Sequence, residues 1–139
     1  MKISSHNEWS PLRSVVVGLA AGANKPDGCH FAQPGAYPGH VTAQADMDLD
    51  RFARTLEQEG VKVYRPKYHN FSLTDGMYNY CPRDRLLVVG DTVVDCNMQY
   101  ECRLQESHYI DFVLKSAKRV VTAPRNRWVK FDAANVCRL

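Results

Sequence analysis

The sequence has no apolar run near the roughly 18 residues that a membrane-spanning helix needs. Its opening residues, Met1-Lys2-Ile3-Ser4-Ser5-His6-Asn7-Glu8, hold no apolar signal core, so no export is expected. Low-complexity segments and charged tails are absent, and no Cys-x-x-Cys pair occurs. Cys96, Cys102 and His108 lack zinc-site spacing, and nothing else in the chain points to a metal. Charge of one sign is also not in excess. The formal net charge is +3, from 18 Lys and Arg against 15 Asp and Glu, too little to read as a nucleic-acid footprint. The densest basic group is Lys115, Lys118, Arg119, Arg125 and Arg127. It is interleaved with Val120, Val121 and Trp128, as on a solvated face around a strand.

What is present is an ordinary globular composition. Hydrophobic residues make up 45% and charged residues 24% of 139 residues, enough for one domain with a core. The five cysteines, Cys29, Cys81, Cys96, Cys102 and Cys137, are odd in number and irregularly spaced. That pattern fits free thiols in a reducing compartment better than a disulfide framework. The expected location is therefore cytoplasmic, with neither membrane nor nucleic acid as partner.

Hydrophobic periodicity orders the elements. Ser14-Val15-Val16-Val17 is a short apolar strand ended by Gly18. Ala20 to His40 holds four Gly and three Pro and reads as a long surface loop of the kind that carries function. Leu49, Phe52, Ala53 and Leu56 predict the buried face of a helix within Thr42 to Glu59, with Thr42 or Asp46 as cap and Gly60 as stop. Val61-Lys62-Val63-Tyr64 follows as a strand. Arg85 to Val89 and Thr92 to Cys96 flank Gly90-Asp91, a two-residue hairpin turn. A helix over about Tyr100 to Ala117 would bury Leu104, Ile110, Val113 and Leu114. Arg119 to Ala123 and Trp128 to Phe131 read as two further strands. Strands alternating with helices of this length predict an α/β fold.

Two carboxylates stand out. Asp84 follows Pro82 and Arg83 and precedes an apolar strand; a carboxylate at a strand mouth can accept two parallel hydrogen bonds from a guanidinium. The structural alternative is that Asp84 pairs with a nearby Arg or caps a turn begun by Pro82. Asp132 ends an apolar stretch and precedes two alanines. It is placed either to orient a histidine or move a proton, or to cap a helix. Cys29-His30 are neighbours, but adjacent side chains on an extended segment point apart. Cys81 and Cys96 read as small core residues, and Cys137 has no activating neighbour in sequence.

Three segments, in order, resemble the amidinotransferases, the family of glycine amidinotransferase and inosamine-phosphate amidinotransferase. They are Asn7-Glu8-Trp9-Ser10-Pro11-Leu12 with the strand after it; Cys81-Pro82-Arg83-Asp84-Arg85-Leu86-Leu87-Val88-Val89-Gly90, running on to Met98; and Phe131-Asp132-Ala133-Ala134-Asn135. Ser10 stands where the family usually has Asp, Asn135 where many relatives have Asp, and Met98-Gln99-Tyr100 where Met-Ala-Trp is common. The resemblance implies a pentein fold, a five-bladed α/β propeller, of which residues 1–139 would form the N-terminal part of a single domain, about the first two blades. It also implies two-step transfer of an amidino group from L-arginine through an amidino-cysteine to an acceptor amine, with release of ornithine and no cofactor. On that template Asp84, with Arg83 and Asn135, belongs to the substrate-binding set, and Asp132 is the catalytic acidic partner of the family's histidine.

None of His6, His30, His40, His69 and His108 matches the family's histidine motif, and none of the five cysteines matches its nucleophile. The chain is thus expected to stop short of both and to be inactive alone. It would act with a complementary chain or as a homo-oligomer, or it is a non-catalytic guanidinium-binding or assembly module. A fragment of a hydrolase like arginine deiminase is the remaining alternative.

Overall fold

A computed structural model describes residues 1–23, 37–71 and 78–138, the side chain of Cys102 excepted. Most of the Gly- and Pro-rich loop, with Cys29 and His30, lies outside the described residues.

The β-branched run at the start forms a strand, Ser14–Val16 (β1), that pairs in parallel with Lys62–Tyr64 (β2), Val15 facing Val63. A parallel pair needs a long crossover, and it contains the helix Gly39–Gln58 (α1). This helix begins earlier than its polar residues predict. Pro38 is the N-cap, without a side-chain cap bond. Thr42 lies buried in the first turns and donates to the Gly39 carbonyl at 3.0 Å. Asp46 faces the end of β1 instead of capping, accepting from the Ala20 and Ala21 amides at 3.0 and 3.2 Å. Ala53 is buried as expected, whereas Phe52 is 55% exposed, so the buried stripe is narrower than the apolar spacing implies. Gly60 takes φ +78° just past the helix, the left-handed stop that glycine allows.

A one-turn helix, Pro82–Arg85 (α2), leads into a three-stranded sheet of Leu86–Val89 (β3), Thr92–Asp95 (β4) and Arg119–Thr122 (β5). β3 and β4 form the predicted hairpin, closed at Val89 and Thr92, with Gly90 at φ +61° in its turn. β5 joins β4 in parallel. The crossover from β4 to β5 is less regular than the predicted helix. It is a 3₁₀ helix, Glu101–Ile110, followed by the α-helix Asp111–Ser116 (α3).

The alternation of the hairpin gives the sheet two apolar faces. Leu86 and Val93 pack with Ile110 and Val113 on one side. On the other, Leu87, Val94 and Leu104 surround Cys96, Met98 and Ala133. That second cluster holds the last element, the 3₁₀ turn Ala133–Asn135.

The predicted strand over Trp128 to Phe131 does not form. Its polar backbone is taken by side chains. Asn126 Oδ1 accepts from the Trp128 and Val129 amides at 2.9 and 2.7 Å, and Asn97 Nδ2 donates to the Asn126 and Val129 carbonyls at 2.8 and 2.7 Å. Asparagine bonds that stand in for a ladder are the competition local side chains offer to regular structure. Among the described residues, no helix is long and apolar enough to cross a membrane.

Candidate active site

The segment before α2 is brought to β1 by backbone contact. The Leu19 amide donates to the Asn79 carbonyl at 3.0 Å, and a side chain at Gly18 would collide with the Tyr80 backbone. Glycine is therefore what permits the approach. Pro82 then occupies the first helical position, where its missing N–H costs nothing. The Asp84 amide closes the turn on the Cys81 carbonyl at 3.1 Å.

Asp84 is already engaged. Its Oδ2 lies 3.2 Å from Nη1 of Arg103, the partner arrangement that the structural alternative anticipates. Arg103 is 2% exposed, and its Nε donates to both carboxylate oxygens of Glu106 at 3.1 and 2.9 Å. Its guanidinium carbon stands 4.3 Å from the centre of the Tyr78 ring, a cation–π distance. The Tyr78 amide donates to Glu106 Oε1 at 3.3 Å, and Tyr78 stacks on Tyr80 with ring centres 4.0 Å apart. Burial would lower the Arg103 pKa, but the Glu106 carboxylate, with Tyr78 and Asp84, outweighs it and the shift is upward. Burial pushes the Tyr78 hydroxyl up to about 12. Burial and then the Asp84 charge push the Cys81 thiol up to about 11. At neutral pH both are uncharged.

Asp132 arrives by a different route. Three consecutive residues at the end of β4 clamp the chain that carries it. Asp95 accepts from Arg125 Nη2 at 3.0 Å and pairs with buried Arg85 at 2.5 Å. The Cys96 carbonyl accepts from both Arg85 and Arg125. Asn97 holds the Asn126 turn as described, and its carbonyl accepts from the Phe131 amide at 3.0 Å. Asp132 follows as N-cap of the last 3₁₀ turn, with no side-chain cap bond. Its Oδ1 accepts from the Gln99 amide at 3.3 Å.

The structure brings the two acidic segments together, because α2 packs against the turn Ala133–Asn135. Arg83 ties them, donating to the Val136 carbonyl at 3.1 Å, while its guanidinium lies 3.6 Å from Glu8. The Asn-Glu-Trp opening thus reaches the same corner. Arg138 reinforces it, reaching Glu8 Oε1 at 3.0 Å and the Val88 carbonyl at 2.8 Å. Asn135 is exposed, with its amide on the Asp132 carbonyl at 3.0 Å. Cys81, Cys96 and Cys137 are free thiols, of which Cys96 is buried and Cys137 exposed. Among the described residues, no cluster of His, Cys, Asp and Glu is placed to hold a metal.

Sequence reading missed the buried polar pair Arg103 and Glu106. The available signal is the Arg-x-x-Glu spacing, which puts both side chains on one side of a helical turn.

Asp84, held by the buried Arg103, therefore sits on an element packed against the turn that Asp132 opens. Known proteins resemble the chain in sequence and in backbone. The chain is 35% identical to an inosamine-phosphate amidinotransferase of Streptomyces griseus, with 98% of the chain and 52% of the relative covered. It is also 35% identical to the L-arginine:L-lysine amidinotransferase of Pseudomonas savastanoi pv. phaseolicola, over 81% of the chain and 38% of the relative. In three dimensions it matches the S. griseus inosamine-phosphate enzyme with a TM-score of 0.78 at 29% identity, covering 99% of the chain and 53% of the solved one. An amidinotransferase of the saxitoxin biosynthetic pathway from Microseira wollei matches with a TM-score of 0.80 at 28% identity, with 99% and 52% covered. No protein-family model matches the chain. The chain belongs to the amidinotransferase family and corresponds to an N-terminal portion of its relatives, spanning about half their length. Its small sheets and α/β order agree with the pentein fold of its structural neighbours.

Proposed function

We propose that this chain supplies the guanidinium-binding corner of an arginine-dependent amidinotransferase. In this reading Asp84 receives the guanidinium of L-arginine, and Arg83 and Asn135 line the same corner. Asp132 is the acidic partner of a histidine that assists proton transfer. Neither that histidine nor the cysteine that would carry the amidino group is among the residues of this chain. Arginine would lose its amidino group to that cysteine, ornithine would leave, and an acceptor amine such as glycine would take the group. No cofactor takes part, and the setting is cytoplasmic.

The observation that carries this reading is the packing of α2 against the turn after Asp132. It brings together the two segments that sequence resemblance singles out, within a backbone matching two solved amidinotransferases. The relatives named above are transferases, which supports transfer over hydrolysis.

Residues 1–139 would then form about the first two blades of a five-bladed propeller. The exposure of β5 along its whole length supports this, as does that of Trp128 at 79% and Val129 at 61%. Such surface is normally covered by neighbouring structure, here by further blades, a complementary chain or a second copy.

The test is to incubate the purified chain with [guanidino-¹³C]arginine and glycine, following binding by NMR and products by mass spectrometry. Arginine binding without ornithine is the expected result. No binding at millimolar arginine would overturn the guanidinium corner, and ornithine formed by this chain would overturn its dependence on an outside nucleophile.

A further inference from the structure

The corner contains a buried guanidinium of its own, and its electrostatics depend on how that charge is balanced. If Asp84 and Arg103 were alone, their formal charges would cancel and a cationic ligand would find a neutral site. Glu106 changes the balance. Its carboxylate spans Arg103 Nε at 3.1 and 2.9 Å, against 3.2 Å for the contact from Arg103 Nη1 to Asp84. Glu106 is thus the closer partner of the cation. Two carboxylates thus flank the one Arg103 guanidinium, and the Tyr78 hydroxyl and Cys81 thiol beside them are neutral at pH 7. Glu106 side-chain exposure is 4% and that of Asp84 is 21%, so of the two carboxylates Asp84 is the one a ligand can reach.

The geometry also selects an oxygen. Arg103 is held by Glu106 at Nε and covered by the Tyr78 ring on one face. Its Nη2 is buried without a hydrogen-bond partner. A planar fork fixed in this way cannot swing, and it holds Asp84 by Oδ2. The oxygen left for an incoming guanidinium is Oδ1.

We propose that Glu106 and Arg103 are positioning residues for the guanidinium site: Glu106 neutralises Arg103 so that Asp84 keeps a net charge for the ligand, and Arg103 fixes Asp84 by Oδ2 so that Oδ1 receives it. This rests on the reading of Asp84 as the guanidinium-binding carboxylate. Neither residue touches the ligand.

The experiment is calorimetric titration of the purified chain with L-arginine and with citrulline, its uncharged near-isostere. Glu106→Gln keeps shape and removes the balancing charge. It should weaken arginine by about tenfold, the size of one partly screened charge, and leave citrulline within about twofold. The double variant R103M/E106L removes both buried charges together, a change that buried pairs tolerate, and leaves Asp84 as the net charge. It should weaken arginine while keeping the preference over citrulline, and it decides the matter should Glu106→Gln fail to fold. Asp84→Asn is the control for the underlying reading. Should Asp84→Asn leave arginine binding intact, Asp84 is not the guanidinium ligand and the inference falls with it. Should Asp84→Asn abolish binding while Glu106→Gln weakens both ligands alike, or neither, Asp84 keeps its role and the positioning pair is refuted.

Discussion

Arg85 and Asp95 stand opposite the same hairpin end, a guanidinium nitrogen of the first 2.5 Å from a carboxylate oxygen of the second. Arg85 is 1% exposed, and burial pulls its pKa down against the opposing pull of Asp95. The pair anchors the end of β4, and through Arg125 it anchors the chain that leads to Asp132. Removing one partner of such a pair strands a buried charge. Asp95→Ala should therefore destabilise the chain by about 3–5 kcal/mol in urea unfolding, while replacing the pair by R85M/D95L should cost much less.

Asn97 is the second anchor. Asn97→Ala removes the donor to the Asn126 and Val129 carbonyls but leaves the backbone bond from Phe131 in place. Because Val129 is exposed, water can replace part of what is lost, and the cost should stay near about 1–2 kcal/mol. The larger effect should be local. Amide exchange over residues 126–132 should accelerate well beyond the change in global stability, and arginine affinity should fall with it.

Asp111 contributes to the acid limb of stability. Lys115 Nζ and Lys67 Nζ lie 2.6 and 2.8 Å from its carboxylate, and these bonds hold its pKa at about 2, below the ordinary 3.8. A carboxyl depressed in the folded state stabilises above its unfolded value and loses that contribution as pH falls through the folded one. Wild-type stability should therefore drop between about pH 4 and pH 2 more steeply than that of Asp111→Asn. The two should converge at the acid end, and parallel curves through that window would contradict the assignment.

The parts legible in the sequence are those set by local pattern. The Val-rich strands, the Gly90 turn and the Gly60 stop follow from periodicity and from the φ values that only glycine adopts readily. Trp128 to Phe131 has the apolar pattern of a strand but is captured from outside the segment. The side chain that captures this stretch is Asn97, about thirty positions earlier, and no window over the segment contains it. Asp46 is a parallel case: it suits a helix cap, yet the amides it serves belong to Ala20 and Ala21. The carboxylates of the candidate site were visible through resemblance, and their structural partners were not. Pairing Asp84 with Arg103 requires knowing that the crossover after β4 folds back over α2, which is a tertiary fact. Burial of Arg103 and Glu106 runs against the usual exposure of such residues, so composition gave no hint of it.

A crystal structure of the chain with L-arginine bound would place the guanidinium outright. The guanidinium should lie between α2 and the turn Ala133–Asn135, hydrogen-bonded to Oδ1 of Asp84 while Oδ2 stays on Arg103. A guanidinium bound elsewhere, with the Asp84 carboxylate free of ligand, would contradict that placement.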